Sequence, residues 1–303
     1  MREFSLTAID NTKLYYILWD EVKEPKGVIQ IIHGMNSHAG RYDDFAKILN
    51  QNGYIAFADD HRGHGKTAGK DKLGQVGKDN FMNCVLDQLE FTKMLKEKYN
   101  LPVQLFAHSY GSFLAQRYIQ LGGDLIDGVI LSGSAHMGGI KLPLGKILTA
   151  LQSWFFDLNK KDKLLYKMTY KSNNKPFRED NIENAWICRD LEKVRKFNQD
   201  PMCNYVVSIG FYYSMMRGLS DCYKKQNLQK IPKDLPIFII SGALDPVGGM
   251  GKKVYKLYEL YKALGLKDLS IKIYENVRHE LVGDPEQEKI IPQILEFYNK
   301  NTE

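Results

Sequence analysis

A serine on a tight turn between a strand and a helix can serve as a nucleophile. The stretch Leu105-Phe106-Ala107-His108-Ser109-Tyr110-Gly111-Ser112 has that pattern. An apolar run leads into Ser109, and Tyr110, Phe113, Leu114, Tyr118 and Leu121 follow at helical spacing. Such a turn strains the serine, lifts its hydroxyl above the sheet, and needs small residues two before and two after. Here these are Ala107 and Gly111, so a methyl stands where glycine is usual. A serine in this place can equally be a helix N-cap, and the motif alone leaves both uses open. A nucleophile also needs a base, and the base an anion that fixes its tautomer. Of seven histidines, His108 adjoins the serine and must point away, while His33, His38, His61 and His64 belong to earlier loops. His279, in Asn276-Val277-Arg278-His279-Glu280, follows the last expected strand. Asp245, in Ser241-Gly242-Ala243-Leu244-Asp245-Pro246, follows the strand before it. Singly, Asp245 is also a turn former before Pro246 and His279 a loop histidine. Together, in the order Ser109, Asp245, His279, they predict a catalytic triad at the strand ends.

A fourth element completes acyl-transfer chemistry. His33-Gly34-Met35-Asn36 follows an apolar run, so the backbone N–H of Met35 can join that of Tyr110 in an oxyanion hole. Two other motifs point elsewhere and are set aside. Gly65-Lys66-Thr67 resembles the end of a phosphate-binding loop, but the glycine required five positions earlier is Asp60, whose carboxylate would oppose a phosphate. Asp59, Asp60, His61 and His64 suggest a metal cluster without a further ligand set, and bracing of a glycine-rich turn is the simpler reading. No metal and no organic cofactor is expected.

The elements that must position these residues alternate. Phe4–Ile9 and Leu14–Trp19, around Asp10-Asn11-Thr12, read as a hairpin. Apolar runs of strand length follow at Val28–His33, Tyr54–Ala58, Val103–Ala107, Gly128–Leu131, Ile237–Ile240 and Ser270–Tyr274. Near-continuous apolar character predicts strands covered on both faces. Between them Met82, Val85, Leu86 and Leu89, then Val254, Leu257, Tyr258 and Tyr261, keep helical spacing. The fold class is therefore α/β, a doubly wound, mostly parallel sheet with an antiparallel edge. From His136 to Asn227 the patterns are helical only, with Ile147, Leu151, Trp154, Phe155 and Leu158 on one face. That predicts a core of residues 1–135 and 228–303 and a helical insertion of residues 136–227. In the last helix Asp284-Pro285 reads as N-cap and first turn, and the interior Pro292 predicts a kink or restart near Ile291.

Composition excludes other classes. With 44% hydrophobic and 26% charged residues, the 303-residue chain is neither disordered nor a disulfide scaffold. Its net charge of +6 is thinly spread. The densest run, Lys160 to Lys171, alternates with apolar residues as a solvated helix face does, so no nucleic-acid partner is expected. Cys84, Cys188, Cys203 and Cys222 lack metal-ligand spacing and read as buried thiols of a reducing compartment. The opening MREFSLTAID has no signal-like apolar region and no apolar run reaches membrane-spanning length, which reads as cytoplasmic with peripheral membrane contact open.

The segment from His33 to Tyr42 resembles the oxyanion segment of monoacylglycerol lipases and bacterial lysophospholipases of the α/β-hydrolase fold. Asp60-His61-Arg62-Gly63-His64-Gly65-Lys66-Thr67 is similar to the next motif of that group, with Thr67 where serine is frequent. The segments around Ser109, Asp245 and His279 resemble its three triad segments. The departures are Ala107 for glycine and Tyr110 for the frequent methionine. The resemblance implies an eight-stranded sheet, a helical cap between the sixth and seventh strands, and hydrolysis of small acyl esters through an acyl-enzyme. In the cap, Trp154, Phe155, Tyr205, Val206, Phe211, Tyr212, Met215 and Met216 are expected either to wall an acyl-chain channel or to pack the cap helices together. Aminopeptidase, thioesterase and acyltransferase activity on the same triad are the alternatives, together with a non-catalytic binding protein on the same scaffold, since fold alone does not confer activity.

Overall fold

The computed structural model describes residues 1–139 and 141–302, with Lys141 described by its backbone alone. Ile140 and Glu303, inside the expected insertion and core, lie outside the described residues. Eight strands form one sheet: β1 (Arg2–Thr7), β2 (Lys13–Trp19), β3 (Gly27–Ile32), β4 (Tyr54–Asp59), β5 (Val103–His108), β6 (Gly128–Ser132), β7 (Ile237–Gly242) and β8 (Leu269–Tyr274). Their spatial order is β1-β2-β4-β3-β5-β6-β7-β8. The β1–β2 and β2–β4 ladders are antiparallel and the rest parallel. Every residue of β3, β4, β5, β6 and β7 is buried, which is why their sequences lack alternation. The edge strand β8 does alternate.

The helices are α1 (Asp43–Gln51), α2 (Gly65–Ala68), α3 (Asn80–Tyr99), α4 (Tyr110–Gly122), α5 (Lys141–Phe155), α6 (Lys163–Met168), α7 (Leu191–Gln199), α8 (Ile209–Cys222), α9 (Lys225–Leu228), α10 (Lys252–Ala263) and α11 (Gln287–Lys300). On one face of the sheet α3, α4 and α10 bury Val85, Leu114 and Leu257 in the largest core cluster. On the other, α1 and α11 bury Phe45, Leu49, Ile290 and Ile294. Between β6 and β7 the described residues form α5 to α9, 3-10 turns at Lys171–Asp180 and Ala185–Ile187, and a single bridge, Lys161 with Ser208. Helix α8 ties this segment to the sheet layer by packing on α3, α4 and α5.

Three local expectations change. Ile9 belongs to the hairpin turn and is 95% exposed, because the turn closes from Ala8 to Thr12 with Asn11 left-handed. Helix α11 begins at Gln287 and runs through Pro292 without a break. The proline lies in its second turn, and burial of Ile290, Ile291, Ile294, Phe297 and Tyr298 offsets its cost of about 3 kcal/mol, each such side chain contributing about 1.5–3 kcal/mol. On α3 and α4 the apolar faces are narrower than expected, with Leu86 and Leu121 exposed.

Candidate active site

Ser109 sits between β5 and α4 with φ 53° and ψ −119°, a backbone conformation that costs a non-glycine residue of order 1–3 kcal/mol. Its N–H bonds the Ser132 carbonyl at 2.9 Å, and its carbonyl accepts from Ser112 and Phe113, so both sides of the turn are clamped. The end of β3 presses against it. A Cβ on Gly111 would lie 2.1 Å from the Ile32 carbonyl oxygen and 2.6 Å from that of His33. A Cβ on Gly34 would lie 3.1 Å from Cβ of Ser109. Ala107, by contrast, is fully buried in the core beneath the turn, where a methyl is accommodated.

Asp245 and His279 come from the loops after β7 and β8. Their approach is possible because Gly242, at the end of β7, admits the Val277 carbonyl, which would be 2.0 Å from a Cβ. His279 Nδ1 donates to Asp245 Oδ2 at 2.9 Å. The same carboxylate accepts from Val247 N–H at 2.8 Å and from the Ser241 hydroxyl at 3.4 Å, so the anion is held on both oxygens. In a neutral ring with Nδ1 the donor, Nε2 is the nitrogen that carries the lone pair; it is buried and has no hydrogen-bond partner among the described residues. Ser109 and His279 line one cavity of about 630 Å³. His108, as its position demands, turns aside to Ser132 Oγ at 3.3 Å. Burial and the neighbouring His279 push its pKa well below the usual value, so it stays neutral.

Met35 and Tyr110 line the same cavity as Ser109. Tyr110 is the first residue of α4, where an N–H has no acceptor within the helix. The Met35 loop is pinned by Asn36, left-handed at φ 58°, whose amide donates to the Tyr205 carbonyl at 2.8 Å.

Of the expected channel residues, Tyr212, Met215 and Met216 line the cavity. Trp154, Phe155, Tyr205, Val206 and Phe211 are not among its walls. Trp154 and Phe155 are 79% and 76% exposed, because α5 turns its other face, with Leu142 and Leu148, toward the cavity. Phe211 packs behind Tyr110, ring centres 5.0 Å apart, and Tyr205 packs against His64. The apolar walls instead include Leu165, Tyr170, Trp186 and Phe197. Trp186 covers His279, ring centres 4.9 Å apart, while its carbonyl and that of Ile187 accept from His279 and Glu280 N–H. Tyr170 caps one 3-10 turn and Trp186 lies in another, where no α-helical period marks a face, whereas Leu165 and Phe197 are buried positions of α6 and α7. Arg41 and Glu280, both at the cavity, pair at 3.0 Å; both stood inside the quoted motifs without an assigned role.

The decoys resolve physically. Asp60 accepts from the N–H groups of Ala39 and Lys66, filling the place a phosphate would need. Among the described residues one trio, His38, Asp200 and Cys203, brings ligand-type atoms within 4.8 Å of one another. None of the three lines the cavity, and His38 Nε2 is engaged with Asp200 at 2.8 Å. The cavity thus brings together a serine hydroxyl, an imidazole anchored by a carboxylate, and the backbone of Met35 and Tyr110.

Comparison with known proteins bears on the family and the fold. The family model described as serine aminopeptidase, S33, matches residues 23–286. A monoacylglycerol lipase of Mycolicibacterium smegmatis is 24% identical over 302 residues, covering 97% of this chain and 96% of the relative. A human monoglyceride lipase is 26% identical over 280 residues, covering 91% and 82%. The crystal structure of a highly thermostable carboxyl esterase from Bacillus coagulans in complex with glycerol superposes with a TM-score of 0.91 at 25% identity, covering 100% and 99%. With the eight-stranded sheet and the helical segment between its sixth and seventh strands, these matches identify a serine hydrolase of esterase or lipase type, and the chain belongs to the serine aminopeptidase S33 family of α/β-hydrolases.

Proposed function

We propose that this chain hydrolyses acyl esters of the monoacylglycerol or lysophospholipid type through an acyl-enzyme. Ser109 attacks the ester carbonyl as His279 Nε2 takes its proton. Asp245 keeps that nitrogen basic by holding the proton on Nδ1, and the N–H groups of Met35 and Tyr110 receive the oxyanion. His279 then protonates the leaving alcohol and activates a water that releases the acid. What carries the reading is the Asp245–His279 bond of 2.9 Å opening, with Ser109, on one largely apolar cavity of about 630 Å³. A cavity of this size is in the range that buries a small ligand. Arg41 and Glu280, paired in the wall of the cavity, offer donors and acceptors to head-group hydroxyls.

Residues 136–227 act in this reading as a cap over residues 1–135 and 228–303. Among the described residues no helix is long and apolar enough to cross a membrane. The outer face of the cap, with Ile147, Leu151, Trp154 and Phe155 exposed, suits peripheral contact with a lipid aggregate that supplies substrate. The four cysteines are buried free thiols, which suits a reducing, cytoplasmic compartment. An aminopeptidase would need an anion for the substrate ammonium, and Glu280, the one carboxylate among the described lining residues, is already paired with Arg41. The test is Ser109→Ala, expected to lower ester turnover by about three orders of magnitude or more with the fold intact. Ester cleavage at the native rate by that variant would overturn the proposal.

A further inference from the structure

Beneath the oxyanion loop lies a second, fully buried carboxylate–imidazole pair that the mechanism does not use. His61 Nδ1 faces Asp59 Oδ2 at 2.9 Å, and its Nε2 faces the carbonyl oxygen of His33 at 3.1 Å. Both residues are buried. A backbone carbonyl only accepts, and an ionised carboxylate only accepts, so both ring nitrogens of His61 must donate. His279 differs at this point: its Nε2 has no hydrogen-bond partner among the described residues. Asp59 Oδ1 meanwhile accepts from the Gln88 amide at 2.9 Å. Gln30 donates to Gln88 Oε1, Thr92 to Gln30 Oε1, and Tyr118 to Thr92, a chain of donors that supports the charge on Asp59.

The neighbours match this protonation. His33 stacks on His61, ring centres 3.8 Å apart and 14° from parallel. Its Nε2 accepts the His61 backbone N–H at 3.2 Å and its Nδ1 donates to the Gly34 carbonyl at 2.8 Å, so His33 is neutral with a fixed tautomer. That Gly34 carbonyl belongs to the peptide whose other end is the Met35 N–H. The titratable groups around His61 are Asp59, Asp60, His33 and His64, with Arg62 and Asp87 paired nearby. Burial opposes charge on His61, and Asp59, aided by Asp60, outweighs it, so its pKa is raised. Burial and the His61 charge push His33 well down.

We propose that Asp59 and His61 form a permanently ionised pair whose imidazolium, through the His33 carbonyl and the stacked His33 ring, holds the Gly34–Met35 peptide with its N–H directed at the oxyanion. His61 is a positioning residue here, and this role rests on the Ser109 ester-hydrolase reading. The test combines ring-¹⁵N histidine NMR with steady-state kinetics on p-nitrophenyl butyrate, for the wild type, Asp59→Asn and His61→Gln. One histidine signal, identified by its loss in His61→Gln, is expected to keep both ring nitrogens protonated from pH 6 to 9. In Asp59→Asn that ring is expected to lose one proton. The turnover number of this variant should fall about 10- to 100-fold with KM little changed, less than the ~10²–10³ for deleting an oxyanion donor. A His61 ring with a bare nitrogen at pH 7 overturns the proposal, and so does a folded Asp59→Asn with native turnover. If Asp59→Asn does not fold, the wild-type ring spectrum decides alone. The spectrum needs no substrate, so a failed hydrolase reading is distinguishable by an active Ser109→Ala, and that result removes the positioning role while the ion pair stands.

Discussion

Gly111→Ala sets two principles against each other at one methyl group. Gly111 is the second residue of α4, and in a helix alanine is favoured over glycine by about 1 kcal/mol. Propensity alone therefore predicts a more stable protein. Tertiary packing predicts the reverse, since the new Cβ would stand 2.1 Å from the Ile32 carbonyl oxygen, where real contacts start at 3.0 Å. The turn and the end of β3 must separate by 0.9 Å, the difference between those two distances. Both obstructing oxygens are backbone, so no rotamer relieves the clash. Overpacking of this kind costs about 1–3 kcal/mol, which cancels or exceeds the helical gain. The larger effect falls on chemistry. The displaced backbone carries Ser109 on one side and the Met35 loop on the other, and a misplacement of about 1 Å costs on the order of 10²-fold in rate, about 2.7 kcal/mol of barrier. Turnover of p-nitrophenyl butyrate and the rate of fluorophosphonate labelling should both fall about a hundredfold, while the melting temperature moves by a few degrees. Gly77→Ala is the control, because a Cβ there meets nothing within 4 Å. Native turnover and labelling in Gly111→Ala would refute the claim that these two backbones must touch for the site to work.

The apolar cavity predicts a chain-length profile: at about 0.8 kcal/mol per buried methylene, each added carbon raises kcat/KM roughly fourfold until the cavity is full. A flat profile across p-nitrophenyl esters contradicts an acyl channel. Replacing Trp154 and Phe155 by serine should slow hydrolysis of monoacylglycerol in vesicles and leave hydrolysis of soluble p-nitrophenyl acetate unchanged, as those rings are exposed and outside the cavity. Equal effects on both substrates argue against membrane contact. Acid should unfold the protein through its buried neutral histidines. Burial first, and the nearby His61 second, lower the pKa of His64 to about 3. Its unfolded form takes up a proton near pH 6.5 and its folded form does not, so its contribution is complete above pH 6.5 and declines as the pH falls toward 3. His33 and His108, also pushed down by burial, act in the same sense, each by up to about 1.4 kcal/mol per pH unit. Melting temperatures from pH 7 to 4 should therefore drop steeply, and a His64→Gln slope equal to the native one would contradict this account.

Much of the candidate site is legible along the chain because its residues follow strand ends. Each of Ser109, Asp245 and His279 follows an apolar run, and parallel strands carry such positions to one edge of the sheet. The motif around His61 is also visible, but the acceptors on both of its nitrogens come from Asp59 and, across 28 positions, from His33, so its proton count is not. The cap is the least legible part. Ile147, Leu151, Trp154 and Phe155 do form one apolar face of α5, yet that face points to solvent.

Periodicity and apolar runs by themselves determined the doubly wound sheet and the helical character of the insertion, and the motifs that follow three of those runs marked Ser109, Asp245 and His279 as candidates. These are properties of short windows, since a strand covered on both faces or an amphipathic helix declares itself within ten or fifteen residues. Only the tertiary structure decided which apolar side chains wall the cavity, that Trp186 covers His279, and that Arg41 meets Glu280 across 239 positions. A window records that a face is apolar but not what lies opposite it, because that depends on how distant segments share the space above the sheet.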